Sequence, residues 1–545
     1  MPDILFNLLD EKWIRVLHGD GSQGECSLRE IFVKAHEIKT LAGELPTQDI
    51  AILRLLLAVL HSVFGRYDVD GSSAPLNEDE AEPEDALDRW QKLWELGHFP
   101  AEMIVSYLEQ YRDRFWLFHP ETPFYQVPEM AKCTEYKASK LNGELLESNN
   151  KVRIFTQRTE SHKDILTFAE AARWLVHINA FDDTSGKATR DPNRVKKLPS
   201  PGASWLGKLG LVYASAETLY KTMLLNFVML PNGEDKLWAE ESPIWERPCR
   251  IAERTEINLP MSASELLTLQ SRRIRLFRTK EHVTGYGLLG GDFFPRKNAF
   301  SEQMTLWRLS SEKSANSTYI PARHKPQQRL WQNFSMFFSQ AEAIRRPGII
   351  NWLSRLRNEG LLTIPFINIQ TPYAKYADKN SSVEDISSDA IAIRSHFLGK
   401  LGEYWIVRII EEINDSELLI QTIYSLAHNI ALAAGESDGK SKAEAAAQQG
   451  YFRLDIPFRR WLASIDPEKD EMSAKSEEWW VTEQKIIRDL GKELIEKSGL
   501  QSFTGRSVSD KNPNPITTPQ AYNFFLSRTK SRQNLRKGAK KWKKK

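Results

Sequence analysis

The apolar residues of this chain change rhythm near residue 389. Beyond it they recur at helical spacing, in segments 391–412, 418–434, 443–464, 476–498 and 519–537, with a loop at 435–440. Gly499 is placed to stop the fourth segment. Amphipathic faces joined by short connections predict an antiparallel bundle of about four helices. Before 389 the pattern is mixed. Residues 6–17 are apolar and β-prone and predict an opening strand pair, a helix is expected over 28–32 after the N-cap candidate Ser27, and Thr47 is placed to cap a nearly all-apolar helix ending at Phe64. Residues 70–85 read as an exposed loop, and 141–210 as irregular chain around a helix at 167–180. A chain of 545 residues exceeds one ordinary core. The expected fold is therefore α+β: a large mixed α/β domain over 1–388, a four-helix bundle over 389–537 and a basic tail over 538–545.

Charge is distributed unevenly. The formal net charge is +2, yet from Arg528 to Lys545 there are ten Lys or Arg and no Asp or Glu, so the rest of the chain is net negative. The simplest role for that tail is attraction of phosphate. Three dispersed cysteines, Cys26, Cys133 and Cys249, offer neither a disulfide framework nor a CxxC metal cluster, which fits a reducing compartment. No cationic run precedes an apolar stretch at the N-terminus, so no signal peptide is expected. The most apolar run, 50–64, is interrupted by Arg54 and His61 and reads as a core helix rather than a membrane span. A cytoplasmic protein without a membrane partner is expected.

Catalysis needs clustered groups, and the eleven histidines are scattered. His162 and Asp164 form a weak HxD pair in a polar segment. Asp182 and Asp183 could ligate Mg²⁺, with Glu384 or Asp385 completing a nuclease site, although two adjacent aspartates more often make a turn. Gly285, Gly287 and Gly290 spell GxGxxG. Gly291, Asp292 and Pro295 follow where a dinucleotide site needs a helix, so a flexible turn is expected there and no cofactor.

Basic segments with interleaved aromatics carry more. KVRIFTQR (151–158) sets Phe155 between Arg153 and Arg158, enough for one stacked base and two phosphate contacts, or else an amphipathic strand with Phe155 in the core. Arg272, Arg273, Arg275, Arg278 and Lys280 alternate with apolar residues, as in a strand presenting charge on one side. Residues 368–385 (NIQTPYAKYADKNSSVED) gather amides, tyrosines and lysines: amides read base edges, tyrosines stack or wedge, and lysines hold phosphate.

Taken in order, FNLLDEKWIRV (6–16), LAGELPTQDIAILRLLLAVL (41–60), HPETPFYQV (119–127), QTPYAKYADKNSSVED (370–385) and AAAQQGYFRLDIPFRRWL (445–462) resemble the CasA family, the large subunit of the type I-E CRISPR Cascade surveillance complex. The resemblance runs over nearly the whole chain and implies a large mixed α/β domain followed by a four-helix bundle. It implies a non-catalytic subunit whose partners are CRISPR RNA, double-stranded target DNA, the backbone, handle-binding and small subunits of Cascade, and a transiently recruited helicase-nuclease. Such a subunit recognises the protospacer-adjacent motif and helps open the duplex.

By the same resemblance, Arg153 and Phe155 lie on the loop that reaches the RNA handle. Gly186 and Lys187 lie in the minor-groove loop, which departs from the family pattern in having a single glycine. Lys280, or else Lys297, is the lysine that enters the groove. The wedge falls within 368–380, with Gln370 and Tyr373 as its leading candidates and Asn368, Lys375, Lys379 and Asn380 beside them. Some relatives carry a four-cysteine zinc site before the lysine segment; this chain has no cysteine after Cys249, so no metal is expected. Two rival readings stay open: the metal-dependent DNA nuclease, and an RNA-binding scaffold that does not read DNA.

Overall fold

The computed structural model describes residues 4–130, 133–143, 145–147, 151–152, 158, 160–183, 198, 200–311, 318–325, 328–339, 344–377, 382–506 and 515–542. The expected site residues Arg153, Phe155, Gly186, Lys187, Lys379 and Asn380 lie outside them. The fold is mixed α and β and forms two compact units. The first comprises 1–326, 340–363 and 367–390, and the second 327–339, 364–366 and 391–545.

The core of the first unit is the helix Pro46–Phe64, buried on every face because it packs against the helices Phe168–Phe181 and Ala263–Leu267. Its composition and length would suit a membrane span, but its surface is covered by protein. Arg54, 2% exposed, is neutralised by a two-pronged ion pair with Glu302 at 2.8 and 3.0 Å, and Trp205 Nε1 donates to the same carboxylate at 2.8 Å. Thr47 does not cap this helix. The N-cap is Leu45 with Pro46 in the first turn, while Thr47 Oγ1 bonds buried His177 Nε2 at 3.0 Å. Ser27 does cap its helix, Leu28–Lys34, in a reciprocal box with Glu30. Thr167 and Glu170 do the same for Phe168–Phe181.

Local pattern placed strands but not their partners. Leu5–Asn7 and Ile14–His18 are strands, yet the first pairs with Trp116–Phe118 and the second with Gln23–Cys26 and Ile38–Leu41. The loop expected over 70–85 ends early, because Pro83 opens a helix capped by Glu82. GxGxxG is not a turn. Gly285, Gly287 and Gly290 sit in the strand Val283–Gly290, central between Arg272–Arg278 and Thr134–Lys137. A Cβ on Gly285 would lie 2.5 Å from the Tyr136 carbonyl oxygen, and one on Gly287 2.6 Å from Cys133 Sγ. The glycines are there for close packing.

The second unit is helical from Lys400. Lys400–Ala433, Lys440–Ser464 and Met472–Glu496 pack on one another, and Leu500–Thr504, Thr518–Arg528 and Arg532–Trp542 pack against the first of them. Residues 391–394, expected to begin a helix, are the end of a strand. The expected break between 412 and 418 does not occur. Its polar residues point inward: Asp415 and Ser416 are buried, with Asp415 bound by Arg536 at 2.8 Å and Ser416 Oγ donating to the Glu412 carbonyl at 3.0 Å and to the Glu483 carboxylate. The segment 519–537 is two helices, divided where Thr529 bonds back to the Phe525 carbonyl at 3.0 Å. Trp331, Phe458, Trp461 and Trp479 form an aromatic core with centroids 4.9 to 5.5 Å apart.

Candidate nucleic-acid interface

The described site candidates do not converge: Lys280 precedes the strand Val283–Gly290 and Lys297 follows it, while Asn368, Gln370, Tyr373 and Lys375 lie along Phe366–Tyr376. The helix Phe168–Phe181 is buried from Ala171 to its end, and Asp182 and Asp183, themselves buried, follow it. Asp182 binds Arg272 Nε at 2.5 Å, and Asp183 binds Lys140 Nζ at 2.9 Å. These pairs correct the reading of Arg272 and Arg273 as surface charge and oppose the alternative of a Mg²⁺ site at the aspartates. Arg272 and Arg273 are not a solvated face: they are 2% and 1% exposed, and the second is paired with Asp292. The aspartates are held by cations, and among the described residues no three His, Cys, Asp or Glu cluster to hold a metal ion.

The strand Arg272–Arg278 and its partner Val283–Gly290 form a hairpin whose turn carries Lys280, exposed at the tip. Thr279 organises that turn, its Oγ1 accepting from His282 N at 3.1 Å and its amide donating to His282 O at 2.9 Å. Lys297 lies at the opposite end. Chain leaving Gly290 passes Phe294, which packs on Trp205 at 4.4 Å, and turns at Asn298 with φ of +52°. The eight residues of the strand Val283–Gly290, about 26 Å at roughly 3.3 Å each, separate the two ends, so the alternative lysines occupy different places.

The segment 368–380 begins as a strand. Phe366–Tyr376 and Val383–Arg394 lie side by side, and Tyr213–Ser215 adds a third strand along Asn368–Gln370 only. Beyond Gln370 the two long strands continue as a two-stranded arm, closed at its outer end by Ala377 N donating to Ser382 O at 2.9 Å. Asn368 is exposed at the base. Gln370 Nε2 is engaged with Ser215 Oγ at 3.0 Å. Tyr373, half-buried, lies 5.9 Å from the His324 ring. Lys375 pairs across the arm with Glu384 at 2.9 Å, which raises its pKa and takes up a carboxylate of the supposed nuclease set. Tyr376 OH donates to Phe181 O at 2.7 Å, tying the arm to the helix end that also holds Arg272.

Sequence reading missed the cations nearest that junction. Lys208 follows Gly207, over which the Tyr376 hydroxyl lies, and its Cε comes within 3.9 Å of a Cβ placed on Gly202, whose carbonyl accepts from Arg272 at 2.6 Å. Arg323 covers the Tyr376 ring at 5.0 Å, and Arg254 covers Phe293 at 4.1 Å. Burial, reinforced by Arg272, Arg254, Arg296 and Arg323, pushes the Lys208 pKa down to about 8. These residues stand far apart in the sequence, and the Arg296–Lys297 doublet was their one local signal.

Residues 7–490 match the family described as CRISPR-associated protein Cse1. A curated relative, the CRISPR-associated protein CasA/Cse1 of Thermus thermophilus, is 31% identical over 334 residues, 61% of this chain and 59% of the relative, so the match spans less than two thirds of that protein. The crystal structure of Thermobifida fusca Cse1 superposes with a TM-score of 0.80 at 30% identity, covering 98% of each chain. Cse1 from Acidimicrobium ferrooxidans gives 0.79 at 25% identity, covering 98% of this chain and 100% of that one. A chain of a CRISPR RNA-guided surveillance complex shares the fold, with a TM-score of 0.60 at 14% identity over 90% of this chain and 99% of that one.

Proposed function

The chain belongs to the CRISPR-associated Cse1 family, and from that membership we propose that it is the non-catalytic large subunit of a cytoplasmic, RNA-guided surveillance complex that recognises the protospacer-adjacent motif in duplex DNA. Its partners are CRISPR RNA, the backbone, handle-binding and small subunits, and a helicase-nuclease recruited once the duplex is open. One observation carries the reading: the arm 371–388 continues past the edge of its three-stranded sheet. Along that extension Tyr373 lies beside the His324 ring and Lys375 pairs with Glu384.

A wedge of this kind unstacks base pairs at a cost of a few kcal/mol, offset as the guide pairs with the released strand. Lys280, on its exposed turn, suits a groove contact. Minor-groove reading distinguishes few base pairs, because A·T and T·A present the same acceptors, so a permissive motif is expected. The nuclease reading is disfavoured by the ion pairs that occupy Asp182, Asp183 and Glu384.

The test is co-purification with CRISPR RNA and companion subunits, followed by selection from duplexes with randomised flanks. A short enriched motif is expected, with Lys280→Ala and Gln370→Ala weakening binding by about tenfold, roughly 1.4 kcal/mol. Unchanged binding in both variants returns the chain to the RNA-scaffold reading. Mg²⁺-dependent cleavage by the purified chain, lost in Asp182→Asn, overturns the non-catalytic one.

A further inference from the structure

A cavity of about 1080 Å³ opens on the first unit, and none of the site candidates lines it. Its walls are loops that the fold pins. Arg66 ties the chain after the helix Pro46–Phe64 to the facing loop, with two bonds to the Glu246 carboxylate at 2.6 and 2.7 Å and one to the Glu241 carbonyl at 2.6 Å. Leu76 N donates to Gly65 O at 2.8 Å, Asn232 N to Gln303 Oε1 at 2.7 Å and Trp238 Nε1 to Val228 O at 2.7 Å. A cleft held in this way loses little conformational freedom when it is filled.

Two chemistries meet in the lining. Leu76, Leu237, Trp238, Met261 and Phe300 supply apolar surface, and Met261 is 53% exposed. Glu78, Asp79 and Glu80 come from one loop and Glu234 and Glu240 from another, all of them exposed, and among the described residues none of the five is ion-paired. Arg66 is neutralised by Glu246, so only Lys236 and Arg345 oppose those carboxylates within the lining. Arg345 lies over the Phe300 ring at 3.6 Å. Its Nε and the Ser301 Oγ, both in the lining, lack hydrogen-bond partners.

The combination narrows the ligand. Exposed carboxylates in excess repel the phosphates of nucleic acid and attract cations. A bare metal ion would leave the apolar wall unused, and among the described residues no three metal-ligating side chains cluster. A protein segment satisfies every part: apolar side chains fill the wall, lysine or arginine stems add apolar contact while their charged ends reach the acids, and backbone carbonyls accept from donors such as Arg345. The volume is at the top of the range of ligand clefts, roughly 300–1000 Å³, and admits several residues of extended chain.

We propose that this cavity is a docking site for a basic segment of a partner protein, with an apolar residue seated against Trp238, Met261 and Phe300 and flanking Lys or Arg meeting Glu78, Asp79 and Glu240. The acids steer and select the partner, and the apolar wall supplies the hold. The site goes beyond the DNA-recognition reading and does not depend on it.

The experiment uses the full chain without nucleic acid and measures fluorescence anisotropy of a short labelled peptide of alternating leucine and lysine. A leucine–glutamate peptide and a single-stranded oligonucleotide serve as controls. Wild type should bind the basic peptide and neither control. Asp79→Lys and Glu240→Lys, on separate loops, should each weaken binding about three- to tenfold and flatten its dependence on salt. Met261→Ser should weaken it about threefold at every salt concentration, with the slope unchanged. The milder Asp79→Asn and Glu240→Gln should shift affinity in the same direction by less, which separates a lost contact from a disturbed fold. No binding by wild type, equal binding by wild type and all variants, or tighter binding of either control overturns the proposal. Self-association of the chain that the basic peptide abolishes and Glu240→Lys weakens would make a second copy the occupant, and overturns it as well.

Discussion

Two buried titratable residues show how burial converts sequence into pH dependence. His177 is neutral inside the first unit because burial drives its pKa from 6.5 to about 3, and its Nε2 bonds Thr47 Oγ1. Below pH 6.5 the unfolded chain gains a proton that the folded chain refuses, so stability falls as pH drops from 6.5 toward 3. His177→Gln keeps a hydrogen-bonding side chain and should flatten that limb, measured by denaturant unfolding at stepped pH; an unchanged limb would assign it to carboxylates. Lys208 works in the alkaline range. Its folded pKa, about 8 against an ordinary 10.5, means that the folded state releases its proton first, so stability rises between those values. The difference between wild type and Lys208→Met should grow in favour of wild type across that interval. Neither residue announced itself in the sequence, since a lone His or Lys acquires its pKa from neighbours brought by the fold.

At the level of elements, helices with polar caps were legible because capping is local: Ser27 with Glu30 and Thr167 with Glu170 act within one turn. Glycine was not, because the same three residues serve a turn or a tightly packed strand depending on what lies opposite. Gly285→Ala tests this directly. Its new methyl meets the Tyr136 backbone rather than a side chain that can swing away, so the strand must shift, at about 1–3 kcal/mol. Thermal unfolding should register that loss, whereas a true turn glycine with open space around it would tolerate alanine far better. The family resemblance implied a wedge within 368–380, and the extension of its strands beyond Tyr213–Ser215 is a property of the sheet.

For the molecule as a whole, part of the basic C-terminus holds the fold together, which charge counting did not reveal. Arg532 binds Glu412 at 2.9 and 3.1 Å and Arg536 binds Asp415 at 2.8 Å, and both acids are almost wholly buried in the second unit. Glu483, fully buried beside them, has its pKa raised well above the usual carboxylate range by desolvation, although its bond from Ser416 works the other way. Arg532→Met leaves Glu412 with less compensation, and the unit should lose about 3 kcal/mol in denaturant unfolding. Deleting 528–545 would therefore damage the fold before it tested phosphate attraction. Replacing Lys537, Lys540 and Lys541 by Gln leaves the ion pairs intact. That triple variant should reduce the salt dependence of DNA affinity if the tail meets nucleic acid, and an unaltered slope would confine the tail to holding the helices.

What the residues determined alone was whatever depends on near neighbours: the change from mixed to helical chain near 389, the capped helices, the family, and the amide- and tyrosine-rich segment at 368–385. What required the tertiary structure was everything set by partners distant in sequence. Arg272 meets Asp182 across 90 positions and Arg532 meets Glu412 across 120, so charges that read as solvated faces became buried pairs. Lys208 came within reach of Arg254, Arg296 and Arg323 by the same means. Electrostatic and packing energies depend on separation in space, and only folding sets that separation.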